Sequence, residues 1–142
     1  MKPLKWWLRI VGVLYLLEGV GLSAMALFEP QMFAEVWSSA PPGTLDEVAV
    51  RGMRIAGLPG VLTWALLGAM MLIFSRSPTR AGVLVVIVAA WELLVWLPVD
   101  LLASFNGFEV ARAVTLMSIH LVIGVSGLVL LRRATKGAAE LP

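Results

Sequence analysis

The chain has 142 residues, enough for one domain, but 60% are hydrophobic, only 14% are charged, and the mean hydropathy of +0.93 lies far outside the range of water-soluble proteins. The net charge is only +2 despite a pI near 9.5, and the cations flank apolar runs where they act as topogenic and headgroup contacts, so nucleic acid is excluded as a partner. There is no cysteine, which excludes disulfides, thiolate metal sites and thiol chemistry.

Four apolar stretches are predicted to cross the membrane, Leu8 to Phe28, Val50 to Phe74, Ala81 to Ala103 and Val110 to Leu131. Each is at least as long as the roughly 20 residues that span about 30 Å of hydrocarbon as a helix. Only helices or closed barrels satisfy their backbone in lipid, and these runs are too long and too uniformly apolar for barrel strands. The expected fold is therefore all-α, an up-down four-helix membrane bundle forming one transmembrane domain over residues 1–142.

The first span begins after Lys2 and Lys5, and Met1 to Ala26 also fits a secretory signal with an Ala24-Met25-Ala26 cleavage triplet. The length of the run and Glu18 within it favour a retained helix. Glu29 to Ala49 is the one long loop. Its Pro30 to Trp37 segment predicts a short helix lying in the interface, and Pro41-Pro42-Gly43 turns the chain back. Ser77-Pro78 predicts an N-cap and first-turn proline for the third span, and Asn106-Gly107 a tight turn into the fourth. Lys2, Lys5, Arg9, Arg76, Arg80, Arg132, Arg133 and Lys136 fall on one side of the membrane, against Arg51, Arg54 and Arg112 on the other. Eight cations against three place both termini in the cytoplasm, with Trp6 and Trp7 in the inner interfacial belt.

Ionisable residues interrupt the apolar runs at one depth: Glu18 in span one, Glu92 in span three and His120 in span four. A charge at that depth costs roughly 3 to 10 kcal/mol, so such residues turn inward and find partners. Antiparallel helices folded about Asn106 set equidistant residues at equal depth. Glu92 and His120 are each fourteen residues from it, and Asp100 and Arg112 each six. At about 1.5 Å per residue, the second pair lies roughly 12 Å outward of the first. The expectation is two acid and base pairs, Glu92 with His120 in the core and Asp100 with Arg112 at the outer end. Such pairs equally serve to fix helix register. Glu18 has only Tyr15 as a nearby polar neighbour on its own helix face.

Trp64, Trp91 and Trp96 lie towards the middle of their spans instead of at the interfaces where tryptophan concentrates, and aromatic faces beside carboxylates suit an apolar, planar or cationic ligand. Plain packing explains any single one equally well. Pro59 and Pro98 are expected to kink spans two and three, and Gly124 and Gly127 to admit a close neighbour. No phosphate-binding loop, paired-histidine motif or activated serine is present, and one histidine with two distant carboxylates makes a poor metal site, so neither metal nor cofactor is expected.

The opening Lys5-Trp6-Trp7-Leu8-Arg9-Ile10-Val11-Gly12-Val13-Leu14-Tyr15, with the length and the four-span layout, resembles the BphX-like family of small bacterial membrane proteins. That resemblance implies a bacterial inner-membrane protein associated with aromatic-compound degradation, and it carries no catalytic residue over. Small multidrug-resistance transporters are similar in having four short helices with a glutamate in the first, as Glu18 is here, but the long loop, His120 and Glu92 depart from their pattern.

The leading expectation is a midplane pocket bordered by Glu18, Glu92 and His120 that binds a small apolar or amphipathic molecule, with isomerase-like proton transfer between Glu92 and His120 as an extension. Tyr15, Trp64, Trp91, Trp96, Asp100, Arg112 and Arg54 are the ligand-binding candidates. An accessory subunit of a membrane complex, with a protein partner or a second copy, is the alternative; a proton-coupled exporter dependent on Glu18 ranks third.

Overall fold

The structure, a computed structural model, describes residues 1–38, 40–105 and 110–139, without the side chains of 103–105 and 137–139. Among the described residues all regular structure is helical and there is no strand. The helices are α1 (Lys2–Phe28), α2 (Pro30–Ser38), α3 (Glu47–Phe74), α4 (Gly82–Ala90), α5 (Leu97–Phe105) and α6 (Val110–Ala139). A 3-10 turn (Pro78–Arg80) precedes α4, and a π-helical segment (Trp91–Trp96) joins α4 to α5. Four stretches, Lys2–Phe28, Glu47–Phe74, Gly82–Leu102 and Val110–Lys136, are long and apolar enough to cross a bilayer, which marks the chain as a multi-pass membrane protein. Large apolar side chains such as Leu17, Leu66, Val83 and Val122 are exposed, as expected where lipid is the solvent.

Each span overruns its apolar stretch at one end. Lysine and arginine are good helix formers whose stems lie along apolar surface while their charges reach the headgroups, so α1 starts at Lys2 and α6 runs past Lys136. Helix α3 starts at Glu47 because Asp46 caps it, its Oδ1 accepting the Ala49 N–H at 2.8 Å.

The chain packs as two compact units. One comprises residues 12–70, the greater parts of α1 and α3 together with α2. Here α1 and α3 approach backbone to backbone: a Cβ on Gly19 would lie 2.7 Å from the Val61 carbonyl oxygen, and one on Gly68 would lie 2.7 Å from that of Gly12. Without a hydrophobic force between helices in lipid, such contact through small residues is a principal source of association. Phe33 of α2 is fully buried with Ala26 and Val61, against Leu58 and Trp37. Gly57 makes room for it, since a Cβ there would meet the Phe33 ring at 2.7 Å. Pro59 does not break α3, which continues through it. The expected short helix after Pro30 is present as α2, and the chain reverses where expected, with Thr44 N–H donating to the Pro41 carbonyl at 3.3 Å and Gly43 at φ +73°. Pro42 and Gly43 occupy the two central positions that a type II turn assigns to them. The Glu35 carboxylate locks this turn, one oxygen accepting the Gly43 N–H and the Gln31 amide, both at 2.7 Å.

The other unit comprises residues 1–11 and 71–142, with α6 packed along α4, the π segment and α5. Leu4, Leu8, Met71, Val85 and Val88 are buried in it. Trp7 is buried against α6, and its Nε1 donates to Ser126 Oγ at 2.9 Å. Its ring fills the space that Gly127 leaves, and Leu93 fills that beside Gly124, so these glycines admit side chains and not a neighbouring backbone. Ser77-Pro78 departs from expectation. It opens the 3-10 turn, the Ser77 hydroxyl makes no capping bond, and α4 starts only at Gly82. The expected Asn106-Gly107 turn lies outside the described residues.

Candidate functional site

Local sequence determines how the third span presents its acids. Pro98 has no N–H to offer the Leu94 carbonyl, and its ring crowds that carbonyl in a regular α-helix. The helix accommodates it by widening over Trp91–Trp96, so that the Leu97 N–H reaches the Glu92 carbonyl five residues back. In a regular helix, residues eight apart lie about 80° from each other; absorbing one residue in a π turn makes them behave as if seven apart, about 20° from alignment. Glu92 and Asp100 thereby share a face, turned towards α6.

His120 of α6 lies between them. Its Nδ1 is in hydrogen-bond contact with Glu92 Oε2, and its Nε2 lies 3.1 Å from Asp100 Oδ2. The second contact is electrostatic and not a hydrogen bond, since no donor reaches Asp100 Oδ2 in hydrogen-bond geometry among the described residues. Burial grades along the group, with side-chain exposure of 1% at Glu92 and 13% at His120. Trp96 stacks on the imidazole with centroids 6.1 Å apart and planes 19° apart, which holds the plane of the ring. Trp91 meets the edge of Trp96 at 6.4 Å, and its buried Nε1 finds no acceptor among the described residues. Arg112 is exposed on α6 and acts electrostatically on Asp100.

Glu92 and His120 meet as expected. Asp100 and Arg112 interact electrostatically, but Asp100 also reaches His120, so the two acid and base pairs are joined instead of separate. Two causes combine: the π segment swings Asp100 into line with Glu92, and side chains reach along the helix axis, so one imidazole bridges acids eight residues apart.

Glu18 also departs from expectation. It belongs to the other unit, on an exposed face of α1, while Tyr15 is buried and its hydroxyl has no hydrogen-bond partner among the described residues, so the two do not pair. Helix α1 gives its inward face to Gly19 and its close contact with α3, which leaves Glu18 on the neighbouring outward face. Tyr15 and Trp64 do meet, at 6.5 Å, and the aromatic series continues from Trp64 to Trp37 at 6.1 Å and to Phe33 at 5.7 Å. Arg54 is half-buried on α3 and is not part of that series.

Among the described residues no three His, Asp or Glu side chains form a group able to hold a metal ion. The geometry gives the reason for the one candidate trio: its two carboxylates face opposite ring nitrogens, whose lone pairs diverge, so the three cannot converge on one ion. The arrangement is suited instead to moving a proton. Glu92 fixes the ring orientation from Nδ1, leaving Nε2 and the Asp100 carboxylate facing each other.

Comparison with protein-family models, with curated proteins and with solved structures gave no match to this chain.

Proposed function

We propose that this multi-pass protein resides in a bacterial inner membrane with both termini cytoplasmic, and that Glu92, His120 and Asp100 form a proton-exchanging site for a small apolar or amphipathic molecule. The eight-to-three distribution of cations supports the orientation, and the resemblance of the first segment to the BphX-like family supports the compartment. The observation that carries the functional reading is the imidazole facing a carboxylate at each nitrogen. A histidine that serves only to key one helix against another needs one partner. A second acceptor, 3.1 Å from Nε2, gives the ring proton an alternative position.

Isomerase-like chemistry follows from that layout without a cofactor. A substrate seated beside Nε2 accepts a proton there, while Asp100 removes a proton from a neighbouring atom, so the double bond or enol shifts and charge is conserved. The proton then returns from Asp100 to Nε2 once the carboxyl rotates into hydrogen-bond alignment with the ring, which resets both groups. Glu92 is a positioning residue in this scheme, holding Nδ1 and stabilising the imidazolium.

The reading is tested by extracting the small molecules held by detergent-purified protein and identifying them by mass spectrometry. The wild-type chain is expected to retain an apolar or amphipathic molecule that a folded Glu92→Leu/His120→Leu variant lacks; equal loads in both would contradict it.

One observation favours a second reading. Glu92 and Asp100 are balanced by His120 and Arg112, so the group is self-neutralising and suits an accessory subunit whose polar contacts fix helix register. Obligate co-purification with a partner protein, and an empty small-molecule extract, would favour that reading.

A further inference from the structure

We infer that the end of the molecule where the start of α1, the 3-10 turn and the end of α6 meet is a binding surface for anionic phospholipid headgroups. This inference is independent of the proton-exchange site. Within one compact unit, Trp7 is hydrogen-bonded to Ser126 and seated on Gly127, and Gly82 lies 3.7 Å from Leu131 by its would-be Cβ. These contacts draw together three segments that carry Lys5 and Arg9, Arg80, and Arg132, Arg133 and Lys136. Residues 1–11, 71–82 and 126–136 contain no aspartate or glutamate, so the three segments that meet here carry only positive side-chain charge.

Depth identifies the partner. The spans at Lys2–Phe28 and Val110–Lys136 are each 27 residues long. At about 1.5 Å per residue, such a helix reaches about 40 Å, roughly 10 Å beyond the hydrocarbon layer, and its last turns stand among the phosphates. Trp6, 59% exposed with the Arg9 guanidinium 5.3 Å above its ring, puts an amphipathic indole and a cation at the same level. Arg80, Arg132, Arg133 and Lys136 are all exposed there. Clustered cations between helix ends, beside apolar surface for acyl chains, suit a lipid phosphate better than a soluble anion.

The test uses the full chain in neutral detergent, titrated with phosphatidylglycerol and followed by native mass spectrometry. Phosphatidylethanolamine of the same acyl chains and inorganic phosphate serve as parallel probes. Phosphatidylglycerol is expected to bind preferentially, and Arg80→Gln/Arg132→Gln/Arg133→Gln to weaken it about 100-fold at low salt. Arg51→Gln, outside this cluster, should leave it unchanged. Helical content and melting of the triple variant establish that it is folded, and a salt titration of the wild type provides a second readout if it is not, retention falling as salt rises. Equal binding of phosphatidylethanolamine, salt-independent retention, or undiminished binding by the folded triple variant would overturn the inference. Displacement by millimolar inorganic phosphate would assign the surface to free phosphate instead.

Discussion

The two compact units hold their helices by different means. In residues 12–70, α1 and α3 meet through glycines, and aromatic rings fill what remains; in the unit built from both ends of the chain, α6 is held to the third span by Glu92, His120 and Asp100 and to α1 by Trp7 and Ser126. Both devices answer the absence of a hydrophobic force between helices in lipid, one by maximising van der Waals contact and the other by polar bonds. They differ in what they permit. Close backbone contact is insensitive to protons, whereas a bridged imidazole exposes its helices to changes of charge, so only the second device is suited to chemistry.

The contrast is broken most severely at Glu92. Glu92→Ala should destabilise the fold by about 3 to 5 kcal/mol, because it removes the fully buried partner of the part-buried His120 and leaves its Nδ1 beside an empty acceptor position. Glu92→Leu/His120→Leu should recover most of that loss, since apolar side chains replace the pair as a whole. Reversible unfolding in mixed micelles measures both, and a double variant as unstable as the single one would contradict the account. In the other unit, Gly68→Ala should cost about 1 to 3 kcal/mol by pressing a methyl against the α1 backbone. The same unfolding assay checks it, and a neutral result would mean that α1 and α3 are not in close contact.

Two smaller effects sharpen the comparison. Trp7→Phe keeps the ring over Gly127 but removes the donor to Ser126, and a loss of about 1 kcal/mol in melting experiments is expected. The smallest effect is confined to the loop. The Gly43 N–H and the Gln31 amide hold the exposed Glu35 carboxyl below the ordinary glutamate value of 4.5. The folded pKa being the lower one, the turn's added stability is present above 4.5 and is lost as pH falls through the folded value. Amide exchange at Gly43 should therefore accelerate only in acid, and a rate that follows simple solvent catalysis throughout would contradict the lock.

Sequence made the helical framework readable because spanning a bilayer demands long apolar runs, and because Pro30, Asp46 and Gly43 act within a few residues of where they stand. Glu92 and His120 were also readable, from their equal separation about Asn106. The contact of Asp100 with His120 was missed because counting faces assumes uniform α-helix, and Trp91–Trp96 is not one. Pro98 was the available signal, read as a kink when the chain relieves it by a π turn. Glu18 was misjudged for another reason: no short connection ties α1 to another span, so sequence offers no means of deciding which face it turns inward. Gly19 and Gly68 carry a close contact that becomes apparent only when α1 and α3 are known to be partners.

The central claim is that Glu92, His120 and Asp100 titrate as one unit. His120 is the only histidine in the chain, so imidazole 15N labelling gives one set of ring signals, observable in lipid nanodiscs. The account predicts that Glu92→Gln and Asp100→Asn each move the His120 titration, the first acting mainly at Nδ1 and the second at Nε2. A His120 titration that ignores both substitutions in a folded protein would contradict it.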